Sequence, residues 1–297
     1  MVVETKLPDD TFIKVSCDGL IGCLLTGTCN GDTLHKICLW NPLTGEYRNV
    51  STPTSSSNQL YDSFSNYGVC YDWKIDDYKL FLIVVNDSAC SEVWVCRLGS
   101  NSWESTGFIP YDISPYNICL TPLNGIIHWI GYTKVIFSFD IVEGRNKEIQ
   151  LPPCYLNDKL YLFQDMEVGV LRENLYLSVN ATCKSNIDLW VMKDYGVADS
   201  WRKFFSISTD ETLFDSLWPL HYLENNHKIL FHGYVNTIND EDSGEAVLVS
   251  YDLINGELMT LDIPYKPKHF YPIIFVGSLV SLNSCELVEA KQISEVA

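Results

Sequence analysis

One unit recurs along this chain, and it settles the fold class before any single residue is interpreted. Trp40-Asn41-Pro42-Leu43-Thr44-Gly45-Glu46 returns as Phe139-Asp140-Ile141-Val142-Glu143-Gly144-Arg145 and again as Tyr251-Asp252-Leu253-Ile254-Asn255-Gly256-Glu257. In each copy the Gly stands five residues after the aromatic, and a Pro (Pro53, Pro152, Pro264) stands thirteen after it. Two looser copies surround Gly99, ending at Trp103 and Pro110, and Gly196, followed by Trp201. Each reads as strand, Gly-containing turn, strand, with the Gly supplying a positive φ at no steric cost.

A different hairpin precedes each of these. Val15 to Leu25 turns at Asp18-Gly19, Tyr67 to Val85 near Asp76-Asp77, and Cys119 to Ile130 at Asn124-Gly125. Val168 to Val179 turns at Glu173-Asn174, Pro219 to Gly233 at Asn225-Asn226, and Ile273 to Ser284 near Gly277-Ser278. The arms are apolar and β-favouring, as in Gly125-Ile126-Ile127-His128-Trp129-Ile130. Two hairpins make a four-stranded antiparallel unit. The Gly anchors 45, 99, 144, 196 and 256 recur at a mean interval of about 53 residues, near the ~50 of kelch-type blades. The pattern predicts an all-β fold, a kelch-like β-propeller of about six four-stranded blades, over residues 15–285. A β-sandwich is the alternative that the regular period argues against. Six hairpins of one kind against five of the other predict an incomplete closing blade at Ile273 to Ser284. Asp10 to Lys14 is available as one further strand of that blade. Residues 1–14 form a leading segment and 286–297 a tail.

Charge constrains the partners. Asp and Glu number 38 against 20 Lys and Arg, net −18, with pI ≈ 4.6. Such a balance repels phosphate backbones and anionic membrane surfaces, which excludes nucleic acid and membrane as partners. A basic protein partner is compatible with it. Met1 to Pro8 has neither a basic n-region nor an apolar h-region, so a cytoplasmic or nuclear location is expected. The 11 Cys include no Cys-x-x-Cys pair, and reduced buried thiols account for them, evenly spaced Cys17, Cys23 and Cys29 included.

No phosphate loop, nucleophile elbow or metalloprotease helix occurs. His221, His227 and His232 flank a turn, but strand alternation does not bring all three to one side. The eight Trp recur at blade positions and read as core. No catalytic residue, metal ligand or cofactor is therefore assigned. The longer connections, such as Thr26 to Lys36, Val85 to Glu92 and Val235 to Ala246, concentrate acid on one face of the propeller. Asp32, Asp87, Asp240, Glu241 and Asp242 are the candidate contacts for a substrate protein, a basic one by charge.

Several stretches also resemble a known family. Cys17-Asp18-Gly19-Leu20-Ile21, the unit ending Tyr47-Arg48, and Gly68-Val69-Cys70-Tyr71-Asp72 carry the resemblance. So do Leu123-Asn124-Gly125-Ile126-Ile127-His128-Trp129 and Leu189-Trp190-Val191-Met192-Lys193-Asp194-Tyr195-Gly196-Val197. Together they are similar to the plant F-box-associated interaction domain, found in F-box/kelch-like and S-locus F-box proteins. The resemblance implies a non-catalytic substrate-recognition module of a cullin-based ubiquitin ligase, in which an F-box binds a Skp-type adaptor. Leu7-Pro8-Asp9-Asp10 resembles the opening of an F-box, but Cys17-Asp18-Gly19 follows almost at once. Adaptor and cullin binding is therefore expected only where an F-box is present. The alternatives are an F-box-less competitor and a kelch-like lectin or enzyme propeller.

Overall fold

The computed structural model describes residues 11–29, 32–53, 66–86, 90–100, 102–109, 113–131, 135–156, 165–181, 186–208, 214–223, 227–235, 244–264, 267–268 and 270–282. They form five four-stranded antiparallel sheets, each a meander in chain order. Blade 1 is β1 (Thr11–Cys17), β2 (Leu20–Cys29), β3 (Asp32–Trp40) and β4 (Tyr47–Ser51). Blade 2 is β5 (Asn66–Asp72), β6 (Asp77–Asn86), β7 (Cys90–Arg97) and β8 (Ser102–Ile109). Blade 3 is β9 (Ile113–Leu123), β10 (Ile126–Gly131), β11 (Val135–Asp140) and β12 (Arg145–Gln150), followed by the one-turn helix α1 (Pro153–Leu156). Blade 4 is β13 (Met166–Leu171), β14 (Asn174–Ala181), β15 (Asn186–Met192) and β16 (Trp201–Ser208). Blade 5 is β17 (Phe214–Leu223), β18 (Lys228–Val235), β19 (Glu245–Asp252) and β20 (Leu258–Leu261).

First strands pack against first strands around the ring, β1 on β5, β5 on β9, β9 on β13 and β13 on β17. Apolar content falls outward to match. Val-Ile-Phe-Ser-Phe-Asp of β11 is buried across its middle, while Arg-Asn-Lys-Glu of the outer β12 is exposed. The core lies in the seams. Ile37, Leu39, Leu80 and Leu82 fill the one between blades 1 and 2, and Phe81, Ile83, Trp129 and Phe137 the next. Each such side chain contributes about 1.5–3 kcal/mol on burial. Two tryptophans staple outer strands across seams: Trp103 Nε1 donates to Ser51 O at 2.6 Å, and Trp201 Nε1 to Gln150 O at 2.9 Å.

The turns at Asp18-Gly19 and Asn124-Gly125 fall where the sequence puts them, the one near Asp76-Asp77 spans residues 73–76, and Asn225-Asn226 lie outside the described residues. Asp18 and Gly19 have φ of 47° and 84°, Asn124 and Gly125 of 52° and 77°, the doubly left-handed geometry that suits a two-residue hairpin. In blade 4 the turn is one residue earlier than expected, at Arg172-Glu173, with Arg172 at φ 59°.

The blade count is corrected from about six to five among the described residues. The incomplete closing blade at Ile273 to Ser284 is corrected with it, because residues 270–282 form no strand. They run as a strap from blade 5 to blade 1. Ala246 N on β19 donates to Lys268 O at 2.9 Å, and the Phe270 and Tyr271 rings pack 5.6 and 6.1 Å from that of His232. At the far end Asn41 Nδ2 donates to Ser278 O and Val280 O at 3.0 and 2.8 Å, and Leu282 N donates to the Glu46 carboxylate at 2.7 Å. Leu282 then joins the core seam of blades 1 and 2. Gly277-Ser278 is thus a close approach and not a turn. A Cβ on Gly277 would lie 2.6 Å from Leu43, and one on Gly19 2.3 Å from Ser278. Asp10 to Lys14 does not complete a distant blade either, since β1 opens at Thr11 and pairs with β2.

Candidate functional site: the short-turn face

Of the acidic contacts chosen from the sequence, the structure describes the backbone of Asp32 alone. Asp32 opens β3, opposite Cys29 in a continuous ladder. Thr26–Cys29 and Asp32–Lys36 are therefore strand and not loop. Asp87, Asp240, Glu241 and Asp242 lie outside the described residues. The face opposite the long connections is built from the turns that join the first to the second and the third to the fourth strand of each blade, of which residues 101 and 224–226 lie outside the described residues.

Three of its turns share one construction. Asn41 Oδ1 accepts from Leu43 N and Thr44 N at 3.0 and 3.4 Å, and Gly45 N donates to Asn41 O at 2.9 Å. Asp140 Oδ1 accepts from Val142 N and Glu143 N at 2.9 and 2.8 Å, and Gly144 N donates to Asp140 O at 2.8 Å. Asp252 Oδ1 accepts from Ile254 N and Asn255 N at 2.9 and 3.1 Å, and Gly256 N donates to Asp252 O at 2.8 Å. The side chain satisfies the turn N–H groups and the Gly takes positive φ, 74°, 66° and 71° in turn. Those two backbone N–H bonds hold the Asp252 carboxyl below the usual carboxylate range.

That face carries apolar side chains that are half or more exposed. Leu43 is 50% exposed, Ile254 70% and Val197 50%. Trp73, in the β5–β6 turn, is 68% exposed, which corrects its reading as core. The apolar residue two places before each Gly was legible as a repeat; its exposure was not. Adjacent blades touch here: Lys74 pairs with Glu143, and the Tyr195 hydroxyl lies 2.8 Å from Nε2 of His128 on β10.

The polar groups beneath are consumed by structure. Lys79 Nζ lies 2.7 Å from Asp72 Oδ2 and donates to Ile141 O at 3.3 Å, tying blade 2 to blade 3. Burial raises the Asp72 carboxyl, but the Lys79 bond, the Lys74 N–H and the Lys79 charge outweigh it and leave it below its ordinary value. Asp188 receives Tyr155, Lys203 and Ser206 at 2.8, 2.7 and 2.6 Å, which fixes α1 on blade 4. His128 is fully buried, and burial pushes its imidazole down to about 3. His232 is packed under Trp218, whereas His221 is exposed. Among the described residues no three His, Cys, Asp or Glu are placed to hold a metal ion. Burial pushes the Cys23 and Cys70 thiols up to about 12.

The family described as the F-box associated beta propeller domain matches residues 3–282. F-box protein CPR1 of Arabidopsis thaliana is 26% identical, over 96% of this chain and 73% of its own length. F-box protein At3g07870 of Arabidopsis thaliana is also 26% identical, over 89% of this chain and 69% of its own. Among solved structures, the β-propeller domain of the Trilobed protease from Pyrococcus furiosus is similar at a TM-score of 0.46 and 14% identity, covering 86% of this chain and 72% of that one.

Proposed function

This chain belongs to the F-box associated β-propeller family, and from that membership we propose that it is a non-catalytic module that recognises proteins for ubiquitination. The supporting observation is the family match over residues 3–282. The short-turn face agrees with it, with Trp73 and Ile254 turned to solvent, since such faces suit association rather than chemistry. In this reading a Skp-type adaptor and a cullin are engaged through an F-box, and the propeller selects the substrate in the cytoplasm or nucleus.

Net −18 favours a basic substrate protein, with Asp32, Asp87, Asp240, Glu241 and Asp242 as its contacts on the long-connection face. Replacing Asp240, Glu241 and Asp242 by Asn, Gln and Asn should slow association at low salt, and the difference should shrink as salt rises.

The division of labour is tested with purified proteins. Residues 1–297 should stay separate from a Skp-type adaptor on gel filtration and co-elute once F-box helices are fused ahead of them. Micromolar co-elution of the unfused chain would overturn it.

A further inference from the structure

Blade 1 shows what the repeated turn can hold. Its Asn41 amide donates to two carbonyls of the strap, Ser278 O at 3.0 Å and Val280 O at 2.8 Å. Its Glu46 carboxylate accepts from Leu282 N at 2.7 Å and from the Ser281 hydroxyl at 3.2 Å. Leu43 supplies the apolar contact, against Gly277. Three side chains of one turn thus hold a chain segment, mostly by its backbone.

Blade 5 builds the same cradle. Asp252, Ile254 and Glu257 occupy the places of Asn41, Leu43 and Glu46, and the turns superpose in their bonding. Asn41 N donates to Glu46 O and Asp252 N to Glu257 O, each at 2.9 Å. The Asx and Gly bonds repeat as well. Here Ile254 is 70% exposed and Glu257 is exposed. One atom differs in kind. Where Asn41 has an N–H2 group, Asp252 has a second carboxylate oxygen, which accepts and cannot donate. The blade 5 cradle therefore rejects bare carbonyls and calls for a cation or N–H at that place, with an apolar residue beside it.

We infer that the Asp252–Glu257 turn of blade 5 is a peptide cradle for an extended segment of a partner protein in which a Lys or Arg neighbours an aliphatic residue. The inference rests on the reading of this propeller as a recognition module and adds the place and chemistry of one contact. Lys228, opposite Asp252 in the β18–β19 ladder, and His227 compensate part of the Asp252 charge. Glu257 adds a second carboxylate that suits a cationic segment, and the strap on blade 1 supplies the precedent for the backbone contacts. A second copy's strap does not suit it, because that segment presents two carbonyls at the place of the Asn41 amide.

The test uses the whole 297-residue chain and two probes: short peptides selected on it from a random displayed library, and a synthetic peptide of the Phe275–Leu282 sequence. The selected pool should be rich in Lys or Arg beside aliphatic residues. Asp252→Asn keeps the turn, as Asn41 demonstrates. It should weaken those peptides about tenfold or more, the ratio that ~1.4 kcal/mol sets, and should gain binding of the Phe275–Leu282 peptide. Ile254→Ser should weaken both, with melting temperatures unchanged. Selected peptides that bind Asp252→Asn and Ile254→Ser as tightly as wild type would overturn the cradle. If the same peptides are lost only in the Asp240, Glu241 and Asp242 variant, the cradle falls and the recognition reading stands. A pool no richer than one selected on bare resin sinks both. Concentration-dependent self-association that Ile254→Ser abolishes would make a second copy the occupant and overturn the partner assignment.

Discussion

Asn41→Asp should unfasten the strap while leaving its turn intact. Asp140 and Asp252 show that a carboxylate Oδ1 accepts the two turn N–H groups as well as an amide does. What changes is the other δ atom. Asn41 is fully buried, and its Nδ2 makes both bonds to the strap carbonyls. Losing two neutral hydrogen bonds costs about 1 kcal/mol each, and a buried oxygen left facing carbonyls adds ~1–3 kcal/mol more. The sum is about 3–5 kcal/mol, taken from strap docking and not from the blades. Hydrogen exchange resolved to peptides should show residues 270–282 exchanging at least about a hundredfold faster at pH 7, the ratio that ~3 kcal/mol gives. Peptides from β5, β10 and β14 should be unchanged. The defect also has a sign in pH. The folded state raises this carboxyl, so the variant binds a proton the unfolded chain lacks and recovers stability as pH falls toward ~4. A protonated Asp donates one O–H and restores one bond. Unchanged exchange over 270–282, or a defect that does not shrink with acid, would refute the assignment of Asn41 as the strap's clasp.

Further outcomes follow from the seams. Lys79→Met should cost about 3–5 kcal/mol in urea unfolding, because it strands the Asp72 carboxylate, which is 1% exposed, and drops the bond to Ile141 O. Adding Asp72→Asn should recover part of that loss. Gly169→Ala should lower stability by about 1–3 kcal/mol, since a Cβ there would meet the Tyr176 ring at 2.3 Å. It should also disturb the Tyr176 hydroxyl's bonds to Glu167 and Pro219 O. Burial pushes the Glu167 carboxyl from 4.5 up to about 8, against the lowering pull of the Tyr176 hydroxyl. Between those values the native state holds a proton the unfolded chain lacks, so stability falls as pH rises, by at most ~1.4 kcal/mol per unit. The residue keeps some solvent contact, which makes that slope an upper bound. Glu167→Gln should flatten it in thermal melts from pH 5 to 8.

The parts legible in the sequence are those with local causes. Asp18-Gly19, Asn124-Gly125 and the Asx-to-Gly turns need only neighbouring atoms, so their residues announced them. Ile273 to Ser284 has the apolar residues and small pair of a hairpin, but its partner is the side chain of a residue more than two hundred positions away. Nothing local separates a strand that pairs with a strand from one held by an Asn amide and a Glu carboxylate. Thr26 to Lys36 differs from its sequence reading for a related reason. Gly, Thr, Asn and Asp suggested a loop, while the ladder from Ile21 and Trp40 runs through to Cys29 and Asp32. Exposure was equally hidden, since the same apolar position is half covered by the strap at Leu43 and open at Ile254.

The repeated turn also shows where a recognition propeller can vary without refolding. Its structural demands end with an Oδ1 acceptor, a Gly of positive φ and a tie between strand ends. Three features are left free: the second δ atom, the residue two before Gly and the residue after it. Blade 1 fills them with amide, Leu43 and Glu46, and clasps its own chain. Blade 5 fills them with carboxylate, Ile254 and Glu257, and stands open. Blade 3 has carboxylate, half-buried Val142 and Arg145, whose guanidinium has donors and no acceptor. It cannot take a peptide N–H as Glu46 takes that of Leu282. Turns of the same bonding thus present three different sets of side-chain groups, and Arg145→Glu is the one change that should give blade 3 the acceptor it lacks. That variant should bind basic peptides selected on blade 5 with the same dependence on Asp140 that blade 5 has on Asp252. Failure of Arg145→Glu to bind them would mean that the exposed apolar residue, and not the carboxylate pair, decides which turn is a cradle.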